Sequence, residues 1–260
     1  MSLLRHFLNR ALKPRQPNNN PALISPLPNG PLYAVGDIHG QSTAYDKVEA
    51  AIIADADARG ENVVRIVTLG DYIDRGPDSA GMLDRLTTRA SKGVTRHCLK
   101  GNHEEMFGQF LATPNLHHPW LDAGGRETLA SYGLYPDGMR AAARHLPQIL
   151  ASHIPQSHRT FLHTLPLAFE TSTHLFCHAG IDPAHPIHAQ TAQALLWIRK
   201  PFLDHEGPLE KIVVHGHSPV SAPTIRNWQI NLDTGAGHGG PLTAARIAPN
   251  APPILIVPAG

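Results

Sequence analysis

Three short apolar runs along the chain each end in a polar loop, and the three loops are alike. Leu32 to Val35 leads into Gly36-Asp37-Ile38-His39-Gly40, Val63 to Leu69 into Gly70-Asp71-Tyr72-Ile73-Asp74-Arg75-Gly76, and Thr95 to Lys100 into Gly101-Asn102-His103-Glu104. Short apolar runs bounded by glycine predict strands. Between them the apolar positions recur at helical spacing. Tyr45, Val48 and Ile52, with Ala51 and Ala54 beside them, predict a helix capped by Ser42 or Thr43 and ending near Gly60. Met82, Leu83 and Leu86 predict a second, starting near Ser79. Asp37 and Asp71 are 34 residues apart, and Asp71 and Asn102 are 31 apart, enough for helical crossovers between parallel strands. The three loops are therefore expected to share one rim of a sheet.

From about 112 to 155 this rhythm breaks. Pro114, Pro119, Gly124-Gly125 and Pro136 separate short helical pieces at Arg126 to Tyr132 and Gly138 to Leu146, which predicts a mostly helical cap beside the rim. A helix over Gln156 to Thr164 then leads to paired strands, Leu167 to Thr171 and His174 to Cys177. Further strands are expected at Lys211 to Val214, Thr224 to Arg226, Gln229 to Leu232, Leu242 to Ile247 and Pro253 to Val257, with a helix at Ala192 to Phe202. Ahead of the first strand, Pro14 to Pro31 reads as a linker. Leu3, Leu4, Phe7, Leu8 and Leu12 predict a short amphipathic helix, docked on the domain or frayed rather than membrane-bound. The expected plan is a helix and linker over 1–30 and a catalytic domain over 31–260, with the cap inserted at about 112–155.

Composition narrows the function. With 260 residues, 42% of them hydrophobic, the chain can bury one substantial core. With a net charge of +1, nothing in the overall balance argues for a nucleic-acid or polyanion partner, and none is expected. No stretch is long and apolar enough to span a bilayer, and the N-terminus lacks a signal-peptide pattern. Cys98 and Cys177, the two cysteines, lie in apolar runs and read as buried thiols rather than a disulfide framework. The expected setting is cytoplasmic. Histidine is the outlier at 18, which directs the search to a metal site.

Asp37 and His39 sit on a glycine-flanked loop, Asp71 can bridge two cations, and Asn102 offers an amide oxygen. His178, and either His215 or His217, follow later apolar runs. Spacing alone does not choose between the last two. Carboxylate, imidazole and amide donors without thiolate suit manganese, iron or zinc. Two cations about 3.5–4 Å apart activate a bridging water and neutralise a phosphoryl group under in-line attack, which points to phosphoester hydrolysis. His103 is placed to protonate the leaving oxygen, Asp74 to orient that imidazole, and Arg75 to bind phosphate oxygens.

These residues resemble a known family. Gly36 to Gly40, Gly70 to Gly76 and Gly101 to Glu104 are similar in order and spacing to the three signature motifs of the phosphoprotein phosphatases, within the calcineurin-like metallophosphoesterases. The likeness continues through His178, His217, Asn231 to Gly235 and Gly239 to Thr243. It implies an α/β fold in which two mixed sheets form a sandwich flanked by helices, with a dinuclear centre at one end. One metal is assigned to Asp37, His39 and Asp71, the other to Asp71, Asn102, His178 and His217, so that Asp71 bridges and His215 becomes a packing or supporting residue. The two divalent ions are expected to be manganese, with iron or zinc as alternatives. Leu195 to Arg199 resembles the segment that brings a second phosphate-binding arginine, Arg199, in bacterial and phage members. Asp74 and Glu104 resemble the protein-phosphatase branch, whereas Trp120 to Gly125 and Glu127 to Gly133 resemble a cap segment of bacterial branches with varied substrates. Asp122 or Gly124-Gly125 is a candidate for the substrate entrance, the alternative being an ordinary loop and capped helix. The expected activity is metal-dependent hydrolysis of phosphoserine and phosphothreonine in proteins, with phosphotyrosine as a further substrate if the enzyme is of dual specificity, or of small phosphoesters. Hydrolysis of diadenosine tetraphosphate-type substrates, or a binding module without turnover, are the alternatives.

Overall fold

The protein is described by a computed structural model over residues 23–258. The amphipathic helix expected at residues 3–12 lies outside the described residues. Two mixed sheets make a sandwich. One holds, in spatial order, β11 (Ile254–Ile256), β10 (Ala244–Ile247), β2 (Leu32–Val35), β3 (Val64–Thr68) and β4 (Val94–Cys98). The other holds β1 (Ile24–Pro26), β5 (Ala168–Glu170), β6 (His174–Cys177), β7 (Ile212–His215), β9 (Gln229–Asn231) and β8 (Thr224–Ile225). β2, β3 and β4 are mutually parallel, joined by α1 (Ser42–Ala58) and α2 (Ser79–Thr87) as crossovers. β6, β7 and β9 are likewise parallel.

The apolar runs work because both faces of these central strands are covered. Along β2, Tyr33 and Val35 face the core beneath α1 and α2, whereas Leu32 and Ala34 face the space between the sheets. Phe176, Val214 and Ile230 fill that space from the opposite sheet. Leu175, Cys177 and Val213 point outward from it, toward Leu195 of α7 (Ala192–Trp197). Both thiols are free and lie in different sheets.

Several local expectations are corrected. The helix after Gly40 is not capped by Ser42 or Thr43: it begins at Ser42 after Gln41, and Ser42 Oγ instead donates to Asp78 Oδ2 at 2.5 Å. Ala54 is exposed, and Ala56 is the buried alanine of that helix. Ile24–Pro26 falls in the stretch read as linker, yet pairs in parallel with β5. A three-residue edge strand ending in proline carries almost no pattern signal. The helical piece expected at Gly138 to Leu146 is present as a 3₁₀ segment over Pro136–His145 that leads into α5 (Leu146–His153). The helix expected to reach Phe202 stops at Trp197 with Ile198 extended, ahead of Pro201. The remaining cap elements are a 3₁₀ turn at Pro119–Ala123, α4 (Gly125–Ser131) and α6 (Gln156–Thr164), which follow α3 (Asn102–Ala112).

Candidate metal and catalytic centre

The carboxyl ends of β2, β3, β4, β6 and β7 meet at one end of the sandwich. Backbone bonds tie their loops together: Ile38 and His39 donate to the Asp71 carbonyl at 3.0 and 2.8 Å, and Gly40 donates to that of Tyr72 at 2.7 Å. Glu104 ties the third loop to the second, accepting the N–H groups of Asp71, Tyr72 and Gly101 at 2.8–2.9 Å. Burial and the nearby Asp71 charge raise its carboxyl pKa, against these donors. His39, Asp71, Asp74, Arg75 and His217 all have positive φ, a conformation that costs non-glycine residues energy and is concentrated at functional sites. A Cβ on Gly216 would lie 1.9 Å from Asp37 Oδ1, and one on Gly101 2.1 Å from Asp71 Oδ1, so backbone approaches both carboxylates too closely for a side chain.

All six residues expected as metal ligands are buried here. Asp71 lies at the middle, with its Oδ2 3.6 Å from His39 Nε2 and its Oδ1 3.4 Å from His178 Nε2. Asn102 Oδ1 lies 2.8 Å from His178 Nε2 and 2.9 Å from His217 Nδ1. Asp37 Oδ2 accepts the His217 N–H at 3.0 Å. His39 and His178 use Nδ1 on the carbonyls of Ile73 and Leu69, at 2.8 and 2.9 Å, which turns each Nε2 into the site. Burial lowers the pKa of His39, His178 and His217. Burial opposes ionisation of Asp71, but the surrounding imidazoles, His178 foremost, hold its carboxyl below the usual range. Asp37 is pushed up by burial and by the charges of Asp233 and Asp71. Asp233, which follows β9, is a buried carboxylate that the sequence reading left without a role.

This donor set fits two cations. Asp37 Oδ1 and His217 Nε2 are buried without a hydrogen-bond partner. Two groups that can hold a metal, His39-Asp71-His103 and Asp71-His178-His217, share Asp71. His103 falls within the first by proximity, although its Nδ1 is 2.6 Å from Asp74 Oδ2. Of the histidine pair, His215 is engaged elsewhere: Nδ1 lies 2.9 Å from the Gly216 carbonyl and Nε2 2.8 Å from Gln229 Nε2.

Arg75 directs its fork into the centre, with one terminal nitrogen 2.7 Å from His39 Nε2 and the other 3.0 Å from His103 Nε2. Arg199 is at the rim, donating to the His217 carbonyl at 3.0 Å and Ser218 Oγ at 3.3 Å. Gly124 is half-buried against Arg75, and Gly125 is buried under Trp120. The Gly124 carbonyl accepts the Arg75 N–H at 3.2 Å, and a Cβ on Gly125 would strike the Trp120 ring at 2.4 Å. Asp122 is an exposed residue facing Arg126 at 3.7 Å. Missing from the sequence reading were the partners of Asp74: Trp120, Thr128 and Ser79. Trp120 and Thr128 stood in the motifs already singled out, so a signal was present without a role.

Residues 30–250 match the family model of the calcineurin-like phosphoesterases. The chain belongs to that family. Calcineurin-like phosphoesterases are hydrolases that depend on a dinuclear metal centre, and the two groups sharing Asp71 answer to it. Among relatives, the Bis(5'-nucleosyl)-tetraphosphatase PrpE [asymmetrical] of Oceanobacillus iheyensis is 26% identical, over 82% of this chain and 86% of its own. Serine/threonine-protein phosphatase 1 of Salmonella typhimurium is 29% identical, over 83% of this chain and 91% of its own. A cold-active protein-tyrosine phosphatase of a psychrophilic Shewanella species shares the fold, with a TM-score of 0.57 and 14% identity over 91% of this chain and 82% of that one. No helix among the described residues is long and apolar enough to cross a membrane.

Proposed function

We propose that this phosphoesterase hydrolyses phosphomonoesters of serine and threonine in proteins. The observation that carries the reading is the buried pair His103 and Asp74, with Nδ1 2.6 Å from Oδ2. A serine or threonine alkoxide is a poor leaving group and gains most from a positioned acid, whereas the phosphate chain expelled from a nucleoside polyphosphate leaves with little help. In this reading His103 delivers the proton from Nε2, and Asp74 holds the opposite ring nitrogen and stabilises the charged imidazole. Burial alone would lower the His103 pKa, but the charge of Asp71 and the bond and charge of Asp74 raise it. Arg75 and Arg199 hold phosphoryl oxygens with their planar forks.

Asp37, His39 and Asp71 would hold one divalent cation, and Asp71, Asn102, His178 and His217 the other. The oxygen and nitrogen donor set favours manganese, with iron or zinc as alternatives. When bound, two such ions supply Lewis acidity and neutralise charge on the phosphoryl group. The name of the Oceanobacillus iheyensis relative supports a second reading, hydrolysis of dinucleoside tetraphosphates. Purified protein with manganese, offered phosphoserine and phosphothreonine peptides, 4-nitrophenyl phosphate and diadenosine tetraphosphate, separates the two. The first reading expects release from the peptides at a kcat/KM at least equal to that for the dinucleotide. A preference for the dinucleotide by orders of magnitude would sink it.

A further inference from the structure

The segment from Trp120 to Thr128 reaches into the catalytic pair from behind. Trp120 Nε1 donates to Asp74 Oδ2 at 2.7 Å, the oxygen that faces His103 Nδ1. The Thr128 hydroxyl donates to Asp74 Oδ1 at 2.6 Å and accepts the Asp74 N–H at 2.9 Å. Ser79 Oγ accepts that N–H at 3.0 Å. Asp74, Trp120 and Thr128 are all fully buried, away from bulk solvent. A carboxylate in such a place needs its lone pairs satisfied, and three donors satisfy it in one orientation.

The rest of the motif keeps the two donors in place. Trp120 stacks on Phe107 at 4.6 Å between ring centres and lies 4.8 Å from Phe110, both on α3, the helix whose first turn carries Asn102 and His103. Gly125 lets the indole lie against backbone, and Gly124 has φ 118° and approaches Arg75 so closely that a Cβ would lie 2.7 Å from its nitrogen. Trp120, Gly124, Gly125 and Thr128 are thus spaced as one device.

We infer that the Trp120-to-Thr128 segment is a clamp on the acid that protonates the leaving group: Trp120 and Thr128 are positioning residues that hold the Asp74 carboxylate in the orientation at which it supports His103. Removing either donor takes away a bond that fixes the orientation of the carboxylate and leaves it free to turn away from His103 Nδ1. This inference rests on the reading of His103 as the acid.

The test compares a phosphoserine peptide with 4-nitrophenyl phosphate, whose leaving group needs little protonation. Thr128→Val keeps the shape and removes the hydroxyl; Trp120→Phe keeps an aromatic ring on Phe107 and removes the N–H. Each is expected to lower kcat on the peptide on the order of 10- to 100-fold, the scale of a hydrogen bond to a charged group, and on the aryl ester less than about 3-fold. KM and manganese content by elemental analysis are expected to stay near wild type, and Thr128→Ser is expected to recover most of the lost peptide activity. Equal losses on both esters in the two variants, or no loss in either, would overturn the clamp. His103→Asn is assayed in parallel. If it loses both esters equally, or if the wild-type enzyme hydrolyses neither, the reading of His103 fails and takes the clamp with it. If His103→Asn discriminates between the esters and the two variants do not, only the clamp fails.

Discussion

The carboxylate of Glu104 accepts the backbone N–H of Asp71 at 2.9 Å and so fixes the shared ligand's loop from the neighbouring strand end. Its oxygens also hold Tyr72 and Gly101, all within the core. Glu104→Ala would leave three buried donors unmet, each costing about 1–3 kcal/mol. A loss of at least about 2 kcal/mol in urea unfolding is expected, together with weaker manganese binding. Glu104→Gln, which keeps one carbonyl acceptor, should fall between. An alanine variant as stable as the wild type would show that water or rearrangement replaces the carboxylate.

Asp37 separates metal binding from folding. Its carboxyl is raised by burial and by Asp233 and Asp71, so without a cation its charge opposes the folded state. Asp37→Asn is therefore expected to melt at least as high as the wild type in chelator. Added manganese should reverse that order, raising the wild-type melting temperature more than the variant's, with lower metal occupancy in the variant by elemental analysis. Equal shifts in the two proteins would remove Asp37 from the ligand set.

How these groups came to be legible differs from residue to residue. Asp37, Asp71 and Asn102 stand directly after apolar runs, and the parallel order of β2, β3 and β4 follows from the spacing between them. Local pattern therefore carried the parallel unit and the loops at its rim, whereas the second sheet of the sandwich was expected from the family resemblance alone. His217 was ambiguous with His215 by pattern, because Gln229 and the Gly216 carbonyl, which engage His215, reach it only through the sheet. Trp120 and Thr128 meet Asp74 across 46 and 54 residues of chain, and no periodicity encodes a contact of that range. β1 was hidden for a related reason, since its strand partner among the described residues, β5, lies more than a hundred residues away.

The edge strand β1 gives a direct test of where the folded unit begins. Ile24 and Leu27 are buried, and Leu27 donates to the Glu170 carbonyl at 2.7 Å. A chain shortened to start at Pro31 is expected to be less stable than one starting at Leu23, by roughly 3–6 kcal/mol from the two buried side chains alone. Chemical denaturation of the two shortened proteins measures the difference. Equal midpoints would mean that β1 rests on the sheet without supporting it.

The ion pair between Glu49 and Arg96 predicts a pH dependence far from the catalytic centre. Two of the three Arg96 side-chain nitrogens meet the carboxylate, Nε at 2.8 Å and NH2 at 2.7 Å, and the third, NH1, donates to the carbonyls of Arg85 and Thr88. Burial alone would raise the Glu49 carboxyl, but the guanidinium holds it below its ordinary value of 4.5. A depressed carboxyl stabilises the fold fully above the unfolded value, and that contribution is lost as pH falls from about 4.5 through the folded value. Glu49→Gln leaves the Arg96 charge buried and is expected to cost roughly 3–5 kcal/mol at neutral pH. The gap between wild type and variant should narrow on acidification below pH 4.5, because protonated Glu49 resembles glutamine. Urea unfolding of both proteins between pH 3 and 7 checks this; a gap that stays constant across that range would show that Glu49 contributes shape rather than charge.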